Sequence, residues 1–130
     1  MKRILIDTNC YVAFKREQRS VVDLLRQVEY IGMCTVVLGE LLAGFRCGSR
    51  EAENRQELYK FMDSPRVEVL NVDEETADFY AGVFRALKEK GRPIPSNDLW
   101  IAAVTLRHGL ALATFDEHFR HIDGLLLAGI

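Results

Sequence analysis

Short apolar runs separated by amphipathic stretches constrain this chain more than any other feature. Residues 3–6, 31–35, 67–70 and 110–114 are short and largely uncharged or apolar runs that read as strands, the first of them, with β-branched Ile4 and Ile6, as a buried one. Between them lie helical patterns. Ser20 can cap a helix with the stripe Val21, Leu24, Leu25 and Val28. Residues 36–45 place Val37, Leu41 and Leu42 at helical spacing, with Gly48 as the stop. Residues 49–62 predict a charged helix carrying Leu58, Phe61 and Met62, ended by Pro65. Asp73 can cap a long amphipathic helix through Ala77, Tyr80, Ala81, Phe84 and Leu87, broken by Gly91, Pro93 and Pro95. Residues 99–107 are apolar nearly all round, so that helix is expected to be buried, closing at His108-Gly109. A short edge strand is expected at 125–127.

Strands that alternate with helices imply a mostly parallel sheet, here of four to five strands, covered on both faces. The expected fold class is therefore α/β, a three-layer α/β/α domain spanning residues 1–130, without repeats, low-complexity segments or linkers. A length of 130 residues suits one domain with a proper core. No apolar run reaches the roughly 18 residues that a bilayer span needs. The apolar stretch after Met1-Lys2-Arg3 is too short for a signal peptide, so a cytoplasmic location is expected. Cys10, Cys34 and Cys47 are odd in number and lack C-x-x-C spacing, which reads as buried thiols in a reducing compartment.

Four carboxylates stand where predicted strands end or helices begin: Asp7, Glu40, Asp98 and Asp116. Each lies in apolar sequence, where a charge is costly unless compensated. In parallel sheets, functional groups gather at the carboxyl ends of the strands. Asp7 directly follows the first strand, and Asp116 comes two residues after Thr114 at the end of the fourth. Asp98 falls at the start of the buried helix, where the helix dipole favours a carboxylate. Glu40 lies about one turn into its helix, within reach of the same edge. Gathered in one place, the four would repel one another unless a divalent cation were bound, and such a site points to phosphodiester chemistry.

The residues Ile6-Asp7-Thr8-Asn9, Gly39-Glu40-Leu41, Asn97-Asp98-Leu99-Trp100-Ile101-Ala102-Ala103 and Thr114-Phe115-Asp116-Glu117-His118-Phe119 resemble the PIN domain. More narrowly, they look like the VapC-type toxins of bacterial and archaeal toxin–antitoxin pairs. The resemblance runs almost end to end, and its specificity lies in the ordered set rather than in any one short motif. It implies a PIN-like α/β/α endoribonuclease that requires Mg²⁺ or Mn²⁺, with Asp7, Glu40, Asp98 and Asp116 as the metal-binding set. It further implies Thr8, Asn9 and Thr114 as polar helpers, a homodimer, and a VapB-like antitoxin that blocks the acidic groove. One departure is Phe115, where the family often carries a polar residue, commonly Asn.

A net charge of −2 gives no global attraction to RNA, so any grip must be local. Lys15 and Arg16 follow the first acid, and Arg46 and Arg50 follow the second, making these four the candidate phosphate contacts. His108, His118 and His121 are expected at the surface, since their spacing suits neither a closed zinc site nor a nucleophilic triad. Trp100 and Tyr80 lie within helical apolar patterns, which favours core or dimer packing over base stacking. Two other classes remain open. A phosphoacceptor receiver has similar size and alternation, but needs an early acid pair and a late lysine that are not evident here. A PIN-like binding module without catalysis would keep the fold alone. A haloacid-dehalogenase-type site is disfavoured, because the position two residues after Asp7 is Asn9.

Overall fold

The structure, a computed structural model that describes residues 2–130, holds one five-stranded sheet. Its strands are β1 (Arg3–Ile6), β2 (Tyr30–Cys34), β3 (Val67–Leu70), β4 (Ala111–Ala113) and β5 (Leu126–Ala128). Their order is β3-β2-β1-β4-β5, and every neighbouring pair is parallel. The helices are α1 (Thr8–Lys15), α2 (Arg19–Gln27), α3 (Thr35–Cys47), α4 (Glu51–Met62), α5 (Glu74–Lys90) and α6 (Ser96–Arg107). A 3₁₀ turn covers Glu117–His121.

β1 is central, and Ile4, Leu5 and Ile6 are all fully buried. Successive strand residues face opposite sides, so helices must cover both faces. Each of these side chains contributes roughly 2 kcal/mol of burial, which is why the run tolerates no polar residue before Asp7. From β1 the chain moves outward through β2 to β3, then returns to β4 on the other side of β1. That reversal opens a crevice beyond the carboxyl ends of β1 and β4.

α5 and α6 pack as an antiparallel pair. Arg107 at the end of α6 reaches Asp73 and Glu75 at the start of α5, each at 3.2 Å. Tyr80 and Trp100 stack between the two helices with ring centroids 4.1 Å apart. Asp73 caps α5 by accepting from the Thr76 amide at 2.9 Å. Gly91 and Gly109 end α5 and α6 at φ 68° and 63°, a conformation that side chains resist. No helix among the described residues is long and apolar enough to cross a membrane.

Several boundaries differ from the sequence expectation. Asp7-Thr8-Asn9 opens a full helix, α1, which buries Cys10, Tyr11 and Ala13. Ser20 is not a cap: α2 starts at Arg19, and the Gln18 carbonyl takes the first turn's bonds from Val21 and Val22. α6 starts three residues early at Ser96, because Pro95 presets the entry to its first turn. The sheet is wholly parallel, and its edge strand falls one residue later than expected. Cys10 and Cys34 are buried as expected, whereas Cys47 is exposed at the end of α3, where the helix leaves the core.

Candidate active site

Asp7 is the residue at which β1 becomes α1. It caps α1, with Oδ1 accepting from the Cys10 amide at 2.8 Å, and its Oδ2 accepts from Thr114 Oγ1 at 2.5 Å. Thr114 follows β4, the strand beside β1, so the parallel pairing itself sets this contact. Its hydroxyl also accepts from the Asp116 amide at 3.1 Å. One threonine thus holds Asp7 by its carboxylate and Asp116 by its backbone. Asp7 is only 4% exposed, and burial pushes its carboxyl above the usual carboxylate range. The bonds from Thr114 and Cys10 oppose that rise, while the nearby Asp116 and Asp98 charges add to it.

Glu40 lies on α3, half-buried, and reaches back toward the same edge. Its Oε1 accepts from Thr8 Oγ1 at 2.6 Å, and its Oε2 accepts from Asn97 Nδ2 at 3.3 Å. Thr8 adjoins Asp7 and Asn97 adjoins Asp98, so Glu40 is tied to both neighbours of the acidic pair. Asn97 was not singled out from the sequence, although its position next to Asp98 was a clue. Asn9 is exposed and makes no side-chain hydrogen bond among the described residues.

Asp98 sits in the first turn of α6, where the dipole supports its charge. Burial nevertheless raises its pKa. His118 pulls it down, and Asp116 and Glu40 push it up again. Asp116 stands at the cap position of the 3₁₀ turn but makes no capping bond with its side chain, leaving that carboxylate free. Phe115 beside it is exposed, and no polar side chain supports the acid from that position.

His118 corrects the expectation of surface histidines. Its Nε2 lies 3.0 Å from Asp98 Oδ2, buried and without a well-aligned hydrogen bond. Asp98, Asp116 and His118 offer donor atoms all within 4.8 Å of one another. An octahedral ion with bonds of about 2.1 Å spaces opposite donors about 4.2 Å apart, so this spread is close to the reach of one cation. Two close carboxylates, one of them with a raised pKa, and an unaligned buried nitrogen fit a divalent cation better than they fit one another. The sequence clue was Asp116-x-His118 on a turn after a strand, which carries little weight until the fold brings Asp98 alongside.

The basic candidates are mostly occupied. Lys15 pairs with Glu57 at 3.4 Å, Arg46 with Glu51 at 3.3 Å, and Arg50 with Glu53. Arg16 has no ion pair among the described residues. Lys15, Arg16 and Arg50 line one groove of about 670 Å³ with Asn54, Glu17 and Glu57, whereas Arg46 does not line it.

A parallel α/β sheet with carboxylates converging at its strand-order reversal defines a class of cation-dependent sites. The chain belongs to the PIN domain family, whose model matches residues 4–125. It is 29% identical over 119 residues to Ribonuclease VapC4 of Mycobacterium tuberculosis, covering 92% of this chain and 90% of that protein. With Ribonuclease VapC5 of the same organism it shares 30% identity over 120 residues, covering 92% and 87%. The fold is similar to that in the crystal structure of VapBC2 from Rickettsia felis bound to a DNA fragment from their promoter. There the TM-score is 0.87 at 25% identity, with 97% of each chain covered.

Proposed function

We propose that this chain is a metal-dependent endoribonuclease and the toxin of a toxin–antitoxin pair, working as a single domain in the cytoplasm. The observation that carries this reading is the meeting of acids from four separate elements at one sheet edge, where Asp7 and Asp98 are held above the usual carboxylate range. The names of the similar proteins, ribonucleases VapC4 and VapC5 and the VapBC2 complex, support it. Asp7, Asp98, Asp116 and Glu40 would hold Mg²⁺ or Mn²⁺. Such an ion, when bound, polarises the phosphate and makes water a stronger nucleophile.

The remaining work falls to the chain's own side chains. Thr114 holds the Asp7 carboxylate and the Asp116 backbone, and Thr8 and Asn97 hold Glu40. Asp116 or Glu40 orients the attacking water, with Asn9 as a polar neighbour of Thr8. Arg16, which has no ion pair among the described residues, would contact substrate phosphates first, with Lys15 and Arg50 in the same groove and Arg46 outside it joining only by leaving their carboxylate partners. Because water attacks rather than the ribose hydroxyl, the products carry 5′-phosphate and 3′-hydroxyl ends. A VapB-like antitoxin would cover the acidic pocket, and the active form is a homodimer.

Incubating the purified protein with structured RNA and Mg²⁺ or Mn²⁺, with and without EDTA, tests this. Cleavage to 5′-phosphate ends that stops with EDTA and with Asp98→Asn is expected. Cleavage that persists in EDTA, or 2′,3′-cyclic phosphate products, would sink it.

A further inference from the structure

Among the described residues, the half-buried imidazole of His118 is the group beside the acids that the proposed chemistry leaves without a task. Its ring is held in place. Phe119, fully buried, anchors the 3₁₀ turn, and the His118 and Phe119 rings meet at 4.7 Å. The Nε2 is shielded from solvent yet lacks an aligned partner, even though Asp98 Oδ2 is 3.0 Å away. A histidine whose task was to neutralise Asp98 would point its N–H along the line to that oxygen. This one is offset, and its nitrogen shares a space with donor oxygens of Asp98 and Asp116.

We propose that His118 donates its Nε2 to the cation held by Asp98 and Asp116, so that the site favours Mn²⁺ over Mg²⁺. The inference rests on the cation-site reading above. Its chemical basis is ligand preference: oxygen-only sets suit Mg²⁺, whereas imidazole nitrogen shifts preference toward transition metals. A counter-charge role makes the opposite prediction. Removing a positive imidazolium would tighten the binding of every cation alike, while removing a ligand weakens the metals that accept nitrogen.

The experiment uses the full chain, purified without a histidine tag, and Mn²⁺ or Mg²⁺ alone as the probe. Pulsed electron paramagnetic resonance of the Mn²⁺ protein reads nitrogen coupling directly, and ¹⁵N-histidine labelling assigns it to imidazole without any variant. The expected result is a histidine coupling in the wild type that is lost in His118→Gln. By calorimetry, His118→Gln should weaken Mn²⁺ binding about tenfold or more and Mg²⁺ binding by less than about threefold. Mn²⁺ bound without histidine coupling overturns the inference and leaves the carboxylate site standing. Tighter binding of both ions by His118→Gln overturns it too, in favour of the counter-charge. No Mn²⁺ binding by the wild type defeats the cation-site reading and this inference together.

Discussion

Replacing Asp7 by Asn should change stability in opposite directions with and without a divalent cation. In EDTA the wild type must keep a buried carboxylate charged against burial and the nearby Asp116 and Asp98. Asn removes that charge with little loss of structure. Its Oδ1 can still accept from the Cys10 amide, and Asn caps helices as well as Asp does. Its Nδ2 can donate to Thr114 Oγ1, which is free to rotate its own hydrogen toward solvent. The loss is the charge–dipole attraction at the start of α1, about 0.5 kcal/mol. Relief of a strained functional site is commonly worth about 1–2 kcal/mol, so the net gain is about 1 kcal/mol. For a chain of this size that is a rise of about 3–5 °C in Tm.

Saturating cation reverses the order. A ligand at a hundred times its Kd adds about 2.7 kcal/mol to the wild type, and a variant lacking a principal ligand gains far less. Thermal melts followed by circular dichroism, in EDTA and across a Mn²⁺ titration, read both effects. RNA cleavage by the variant should fall about a hundredfold or more. An Asp7→Asn protein that melts lower than wild type in EDTA would refute the electrostatic reasoning. Equal Mn²⁺-dependent stabilisation of the two proteins would show that Asp7 does not hold the ion.

The same acids give a pH signature. Asp7 and Asp98 have raised pKa values, so the metal-free fold holds protons that the unfolded chain releases. Their contribution to stability is full below the ordinary value of 3.8 and is lost as pH rises through the raised folded values. Asp73, held low by its Thr76 bonds, works in the other sense, so the slope is read as wild type minus Asp7→Asn in EDTA denaturation curves. Thr114→Val removes the donor to Asp7 and the acceptor of the Asp116 amide, costing about 1–3 kcal/mol and most of the cleavage rate. Thr114→Ser should restore both in the same melts and RNA assays. In native alkylation followed by mass measurement, Cys47 alone should react. Cys10 is buried with its pKa pushed up to about 12, and Cys34 is buried and raised too. A native adduct on Cys10 would contradict the burial of the β1–α1 junction.

Residues 4–6 announced β1 because a strand buried on both faces admits no polar residue, and Asp7 stood out for ending it. The parallel order and the carboxyl-edge rule were enough to bring Asp7, Asp98, Asp116 and Glu40 to one place. His118 was unreadable for a physical reason: its partner Asp98 lies twenty residues back, and no local pattern links a 3₁₀ turn to the first turn of α6. α1 was only half legible, since Asp7-Thr8-Asn9 reads equally as a turn, and three small or aromatic residues bury the helix without a long stripe. The basic cluster was legible as charge but not as pairing. Lys15 and its partner Glu57 come from α1 and α4, and a sequence shows charges without showing what neutralises them.

The crossover after β3 divides the acids two and two. Asp7 and Glu40 belong to the leading half, Asp98 and Asp116 to the trailing one, and the β1–β4 pairing joins them. A nick at residues 71–73 would therefore yield two fragments, each with half a pocket, and cation uptake by their mixture would report reassociation directly. Whatever ion the pocket takes, it can serve only a chain that has closed its sheet across the seam. A polypeptide halted before Thr114 carries unfinished chemistry.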